Sequence, residues 1–386
     1  MNNRLEAGWF RKDGCNRNSL PHLTVLSAPE LARRFGLLEI LSAATSERVS
    51  LRELVHVSDA EPGIRRFRCG KGFRYVRSNG QAISTADKAR IAALAIPPAW
   101  EQVWICCDKR GHLQATGRDA RGRKQYRYHP DWMAMQEETK FSSLTDFARA
   151  LSRLRQAVEM DMRRRTLGRE KVAATVVWLM DRLLIRVGNT DYARDNKSFG
   201  VTTLRNRHLK MDGARLRLVF TGKSGKMWSL GIADKRIARI VRSIQELPGQ
   251  QLFQYIDDEG QRRPVTSQDI NDYLRTVMKA DFTTKHFRTW AATASALEAL
   301  RQIEPPSNEA ARRKILNGEI DKVARVLGNT RAVCRSSYIH PTVLIHWLDG
   351  RLAGEVADAS ALRVIAPELN EAERRTLKWL SFMEGK

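Results

Sequence analysis

The spacing of hydrophobic residues changes period near Phe141, and this change constrains the fold more than any other feature of the chain. Before it, from Ile64 to Val76, basic residues alternate with apolar or aromatic ones through Phe67, Phe73 and Tyr75, with glycines at 70 and 72. That spacing predicts strand, glycine turn, strand, with a basic outer face. Ser84 to Leu94 reads as a short helix broken by Pro97-Pro98, Val103 to Cys107 as another strand, and Asp108 to Gly111 as a turn. Beyond Phe141 the period is helical. Leu144, Phe147, Leu151, Leu154 and Val158 share one face behind a Ser143 or Thr145 cap. Val172, Val176, Leu179 and Leu183 do the same in a helix read as Arg169 to Val187 and ended by Gly188, which places Arg186 in its last turn. Period two returns from Thr202 to Ile232, with Asp212-Gly213 as a hairpin turn and Gly222-Lys223-Ser224-Gly225 as a second one. Helices then follow over Asp234 to Leu247, Ser267 to Ala280 and Thr284 to Leu300, another ends near Leu327, and a tail helix runs from Glu368 to Met383.

This pattern predicts an α+β chain. A small antiparallel-sheet N-terminal domain spans 58–141, and a larger, mainly helical domain with a β-hairpin region spans 142–386. Residues 1–57 are an extension of unknown role, in which Pro29 to Ala44 has amphipathic helical spacing.

Charge points to the partner. The 386 residues include 67 Lys and Arg against 43 Asp and Glu, a formal charge of +24. Such a surplus repels itself in a compact fold and is the mark of a polyanionic partner. Five cysteines, odd in number and without the two-residue spacing of a zinc half-site, suit a reducing cytoplasm. Cys106 and Cys107, adjacent in an apolar run, read as buried thiols. There is no apolar run of about 18 residues to span a membrane, and the charged N-terminus lacks the apolar core of a signal peptide.

Within the small domain, QATGRDARGRKQYRYHP (Gln114 to Pro130) combines phosphate-binding and stacking side chains. Arg123, Lys124 and Gln125 supply charge and hydrogen bonds, while Tyr126 and Tyr128 fall on one face of an extended segment. Such a composition makes this segment a candidate nucleic-acid contact.

Four stretches of the larger domain carry candidate chemistry: Arg186-Val187-Gly188-Asn189, Thr221 to Lys226, Lys285 to Trp290, and Leu327 to Pro341 with its single Tyr338. The lysine turn is not a nucleotide-binding P-loop, because it joins two strands and lacks the required glycine spacing. A tyrosine attacking a phosphodiester must lose a proton held to a pKa near 10, needs donors for charge on the non-bridging oxygens, and needs an acid for the leaving alkoxide. Arg186 and Arg288 suit the oxygens, because a guanidinium stays charged and donates in a fork. Asn329 adds a neutral donor, and Lys223 at a hairpin tip suits the proton. Lys285, beside Arg288 at a helix N-terminus, sits where an anion is favoured. The scheme calls for no metal, no nucleotide and no other cofactor.

In this order, these motifs resemble those of the poxvirus-like bacterial type IB DNA topoisomerases, from about Ser58 to about Pro341. The resemblance implies a two-lobed clamp around double-stranded DNA, a 3′-phosphotyrosyl intermediate at Tyr338, and relaxation of supercoils of either sign without ATP. It places Arg186, Lys223, Arg288 and Asn329 at catalytic positions, and Tyr126, Tyr128 and Tyr192 at DNA-facing ones. The Asn329 position is histidine in the viral and eukaryotic enzymes. An amide cannot exchange protons, so Asn329 is expected to act as an oxyanion donor only. A cytoplasmic, nucleoid-associated monomer is expected. A tyrosine site-specific recombinase, with the same covalent chemistry, is the alternative. Recombinases carry a histidine three residues before the second arginine, where this chain has Lys285 and His286 one place off.

Overall fold

Five short strands form one antiparallel sheet in the N-terminal part. They are β1 (Ile64–Cys69), β2 (Gly72–Arg77), β3 (Glu101–Ile105), β4 (Leu113–Arg118) and β5 (Lys124–Tyr128), in the order β2-β1-β3-β4-β5. The structure is a computed structural model that describes residues 54–385, apart from the side chains of Glu137, Glu138 and Tyr192. The expected helix from Pro29 to Ala44 lies outside the described residues. Alternation places Ile64, Val103, Ile105 and Ala115 on one face of the sheet, where Ile91 of helix α1 (Thr85–Ala93) covers them. Ser84 caps α1 by accepting from Asp87 N. The opposite face buries Trp104, Cys106 and Leu113 with Val57. Cys107 is exposed and not buried as expected. It lies beyond the end of β3, and only its neighbour Cys106 joins the core.

Helix α2 (Pro130–Ser142) follows β5 directly, with His129 as cap and proline at its first turn. Most of the remaining chain is helical: α3 (Leu144–Met162), α4 (Arg169–Leu183), α5 (Thr190–Asp195), α6 (Lys235–Gln245), α7 (Ser267–Met278), α8 (Thr284–Leu300), α9 (Glu309–Leu327), α10 (Arg331–Ser337), α11 (Pro341–Leu348), α12 (Leu352–Ala359) and α13 (Glu371–Glu384). One continuous apolar core runs through them from Phe141 to Leu380. The α3 face of Leu144, Phe147, Leu151, Leu154 and Val158 is buried as its spacing requires. A three-stranded sheet of β6 (Leu209–Asp212), β7 (Arg215–Thr221) and β8 (Met227–Ala233) lies against this core. Gly213, at φ +54, turns its first hairpin. A short pair, β9 (Gln254–Ile256) with β10 (Arg262–Pro264), also forms. The start of the expected period-two region, from Thr202, instead falls in two 3₁₀ turns, Val201–Thr203 and Asn206–His208.

One helix ends earlier than its spacing suggests. Leu184 adopts a left-handed conformation, φ 51, and donates to Met180 O, which closes α4 four residues before Gly188. Arg186 therefore lies beyond the helix and not in its last turn. The tail helix α13 packs on α8, α12 and α3.

Candidate active site

Arg186 is placed by backbone pairing. Its carbonyl accepts from Val201 N at 2.8 Å, and the Val187 carbonyl accepts from Thr202 N at 2.8 Å. The two segments approach so closely that a Cβ on Gly200 would lie 2.6 Å from Arg186 O, and Gly188 between them takes φ +107. The glycine of the Arg186-Val187-Gly188-Asn189 stretch is thus a requirement of this close approach.

Arg288, one turn into α8, is buried. Its Nη1 donates to Leu184 O and its Nη2 to Leu327 O at 2.7 Å, which ties together the segments that lead to Arg186 and Asn329. Its Nε is buried without a hydrogen-bond partner. Burial pushes its pKa down and nearby Arg186 adds to this, while Tyr338 opposes them.

Asn329 follows Gly328, whose φ of +61 ends α9, and its own N–H donates to Ala324 O at 2.9 Å. Its Oδ1 accepts from Arg186 Nη2 at 2.5 Å, and its Nδ2 is buried with no partner. The arginine thereby sets the amide orientation and leaves the amide nitrogen, beside the weakly accepting Cys334 thiol, open to a stronger acceptor.

Tyr338 is the C-terminal cap of α10, held by Tyr338 N to Cys334 O at 3.1 Å and by Thr293 Oγ1, which donates to Tyr338 O at 3.3 Å. The Arg288 guanidinium lies 5.3 Å from the ring centroid. Burial pushes the phenol pKa up, but Arg288, Arg186 and Lys285 together outweigh it, so the net shift is downward. Cys334, close to the same arginines, is fully buried and its thiol is pushed up by that burial.

Lys223 stands exposed at the β7–β8 tip, in a turn with Ser224 at φ 64. A cleft of about 990 Å³ brings it together with Arg186 and with Arg121, Arg123 and Gln125 of the small domain. The structure therefore assembles Arg186, Arg288, Asn329 and Tyr338 directly, and Lys223 through the shared cleft.

The remaining predicted contacts fall into four groups. Tyr126 and Tyr128 are exposed and stacked, with centroids 5.9 Å apart and planes 10° from parallel. Arg123 and Lys124 are engaged in ion pairs, with Asp119 and Asp59, each at 2.6 Å. Gln125 also donates to Asp119, and Arg123 holds that carboxyl down at about 2. Lys285 is exposed on the first turn of α8. Tyr192 lies in α5, and its side chain is outside the described ones. Sequence reasoning missed two residues. Arg121 lines the cleft, and its signal was its place in the same basic loop. Lys140 donates to Ser337 O at 3.0 Å and so braces the turn before Tyr338 from α2, with nothing in its sequence context to mark it.

Residues 124–347, which include all five candidate catalytic positions, match the family described as eukaryotic DNA topoisomerase I, catalytic core, and residues 72–119 match the bacterial DNA topoisomerase IB N-terminal domain. Over 286 residues the chain is 34% identical to DNA topoisomerase 1B of Acanthamoeba polyphaga mimivirus, covering 72% of this chain and 85% of that one. The chain belongs to the type IB DNA topoisomerases. Its similarity to DNA topoisomerase 1 of Mycosarcoma maydis is lower, 25% over 187 residues, covering 44% of this chain and 18% of that protein. As a type I DNA topoisomerase it is an isomerase that acts on DNA. Among the described residues no helix is long and apolar enough to cross a membrane.

Proposed function

We propose that this topoisomerase relaxes positive and negative supercoils through a 3′-phosphotyrosyl intermediate at Tyr338. The phenolate oxygen bonds to phosphorus, the bond to the 5′-oxygen breaks, and that oxygen takes a proton from the Lys223 ammonium. Charge on the non-bridging oxygens is met by Arg186, the Arg288 Nε and the Asn329 Nδ2. The cut strand rotates about the intact one, and attack by the 5′-hydroxyl reverses the chemistry. Because the phosphotyrosyl ester conserves the bond, religation needs neither ATP nor a required metal. The observation that carries this reading is the pair of buried, unpartnered donors, Arg288 Nε and Asn329 Nδ2, beside a tyrosine whose pKa is lowered by cations. The cleft between the basic loop of the small domain and Lys223 supports a two-lobed grip on duplex DNA. We assign it to a monomer working on the chromosome within the nucleoid. Against recombination, His286 turns away: its Nδ1 accepts from Thr283 N at 3.0 Å and its ring stacks on Phe147 at 5.5 Å.

The test uses plasmids of both supercoil signs, with EDTA and without ATP. The wild type is expected to relax both and Tyr338→Phe neither, and a denaturant quench is expected to trap wild-type protein on a 3′ DNA end. Binding without any change in linking number would defeat the proposal. Relaxation by Tyr338→Phe would move the nucleophile elsewhere.

A further inference from the structure

Trp228 lies in β8 opposite Phe220 of β7, with a half-buried indole. The ring closes on two glycines from separate elements. A Cβ on Gly222 would lie 2.6 Å from Trp228 Cδ1 and Nε1, and one on Gly328 would collide with Trp228 Cζ2 and Cη2. These glycines immediately precede Lys223 and Asn329. One indole thus touches the backbone just before the proposed proton donor and just before the proposed oxyanion donor.

The two neighbours differ in how else they are held. The α9 end is fixed by Asn329 N to Ala324 O, by Arg186 on Asn329 Oδ1 and by Arg288 on Leu327 O. The hairpin tip has less. Gly222 N donates to Lys226 O at 2.8 Å and Gly225 N to Gly222 O at 3.2 Å, both within the hairpin, and residues 223–227 are exposed. Below the tip, Thr221 O accepts from Phe199 N. Contact with the α9 cap therefore reaches the tip through the indole.

We propose that Trp228 is a positioning residue for Lys223. Wedged between Gly222 and Gly328, it seats the hairpin on the Asn329 cap and fixes where the ammonium meets the leaving 5′-oxygen. The inference rests on the reading of Lys223 as the acid. A misplacement of about 1 Å at such a group costs on the order of 100-fold.

Single-turnover cleavage separates the possibilities, using a duplex whose scissile 5′-bridging atom is either oxygen or sulfur. A thiolate leaves without a proton, so only the oxygen substrate needs the acid. Lys223→Ala is expected to be slowed about 100-fold or more on oxygen and to approach the wild type on sulfur. Trp228→Ala should follow it, about 10- to 100-fold slower on oxygen and near the wild type on sulfur, which also shows that the variant is folded. Gly222→Ala, which pushes the turn off an intact indole, should give the same selective defect. Equal slowing of Trp228→Ala on both substrates, or no slowing on oxygen, overturns the positioning role while leaving the Lys223 result intact. If Lys223→Ala stays slow on sulfur, the acid assignment falls and the positioning role with it.

Discussion

The two halves of the Asn329 amide have different environments. Its oxygen is held by Arg186 and its nitrogen is buried without a partner, an arrangement stable in isolation only at the cost of an unmade hydrogen bond. A phosphate oxygen would complete it. Asn329→Ala is expected to lower the cleavage rate about 10²- to 10³-fold while DNA affinity changes little. A variant that cleaves at the wild-type rate in single turnover would remove Asn329 from the oxyanion site. Tyr338 carries the second prediction at this scale. Its folded pKa is lowered below its unfolded value by Arg288, Arg186 and Lys285, against burial. The phenolate's contribution to folding stability is therefore present above the usual phenol range, near pH 10, and is lost as pH falls through the lower folded value. The same shift enlarges the phenolate fraction available for attack. In Lys285→Ala, where one of those cations is gone, the rising limb of cleavage rate against pH should move to higher pH. An unmoved limb would mean that Lys285 has no electrostatic hold on the nucleophile. The types of these residues and their order were legible in the sequence. The engaged oxygen and free nitrogen of Asn329 were not, since its partner lies 143 residues away.

At the level of elements, the tail helix supports α8, which carries Arg288. Arg155 of α3 donates to Asp181 of α4 and to Glu373 of α13, and Trp290 of α8 donates to the same Glu373 at 3.2 Å. Four helices therefore meet at this cluster, one of them carrying Arg288 two residues before Trp290. The arginine and both carboxylates are mostly buried. Removing one partner of such a network strands charge in a poor solvent. Arg155→Ala should cost about 3–5 kcal/mol, measured as a shift in the urea midpoint at unchanged slope. A loss within the range of an exposed ion pair would show that water reaches the cluster. The sequence placed a tail helix here, from Glu368 to Met383. It did not indicate what the tail holds, because Arg155 lies 26 residues from Asp181 and 218 from Glu373 and only the fold joins them. The end of α4 was misplaced for a similar reason. Gly188 looked like the stop, but its freedom serves the approach of Gly200 while Leu184 closes the helix.

For the whole molecule, the +24 charge sets the partner and the way binding responds to salt. Arg123 and Lys124 are held by Asp119 and Asp59, yet their side chains are 38% and 41% exposed, and water screens such pairs so that they add little. A phosphate can therefore displace the carboxylates. Each alanine substitution at Arg123 or Lys124 should lower the slope of log affinity against log salt by about one, measured by titrating a short duplex at several ionic strengths. An unchanged slope would mean that the ion pairs survive in the complex. The sequence by itself determined the period of the main elements, and with it the antiparallel sheet, the helical body and the hairpin that exposes Lys223. It did so because apolar spacing along a few turns or strand residues decides which face can leave water. Only the tertiary structure decided where Arg186 lies, that Arg288 joins Leu184 to Leu327 across 104 and 39 residues, and that Trp228 touches the glycines before Lys223 and Asn329. Those contacts depend on how distant segments fill a shared volume, and no local pattern of residues encodes that volume.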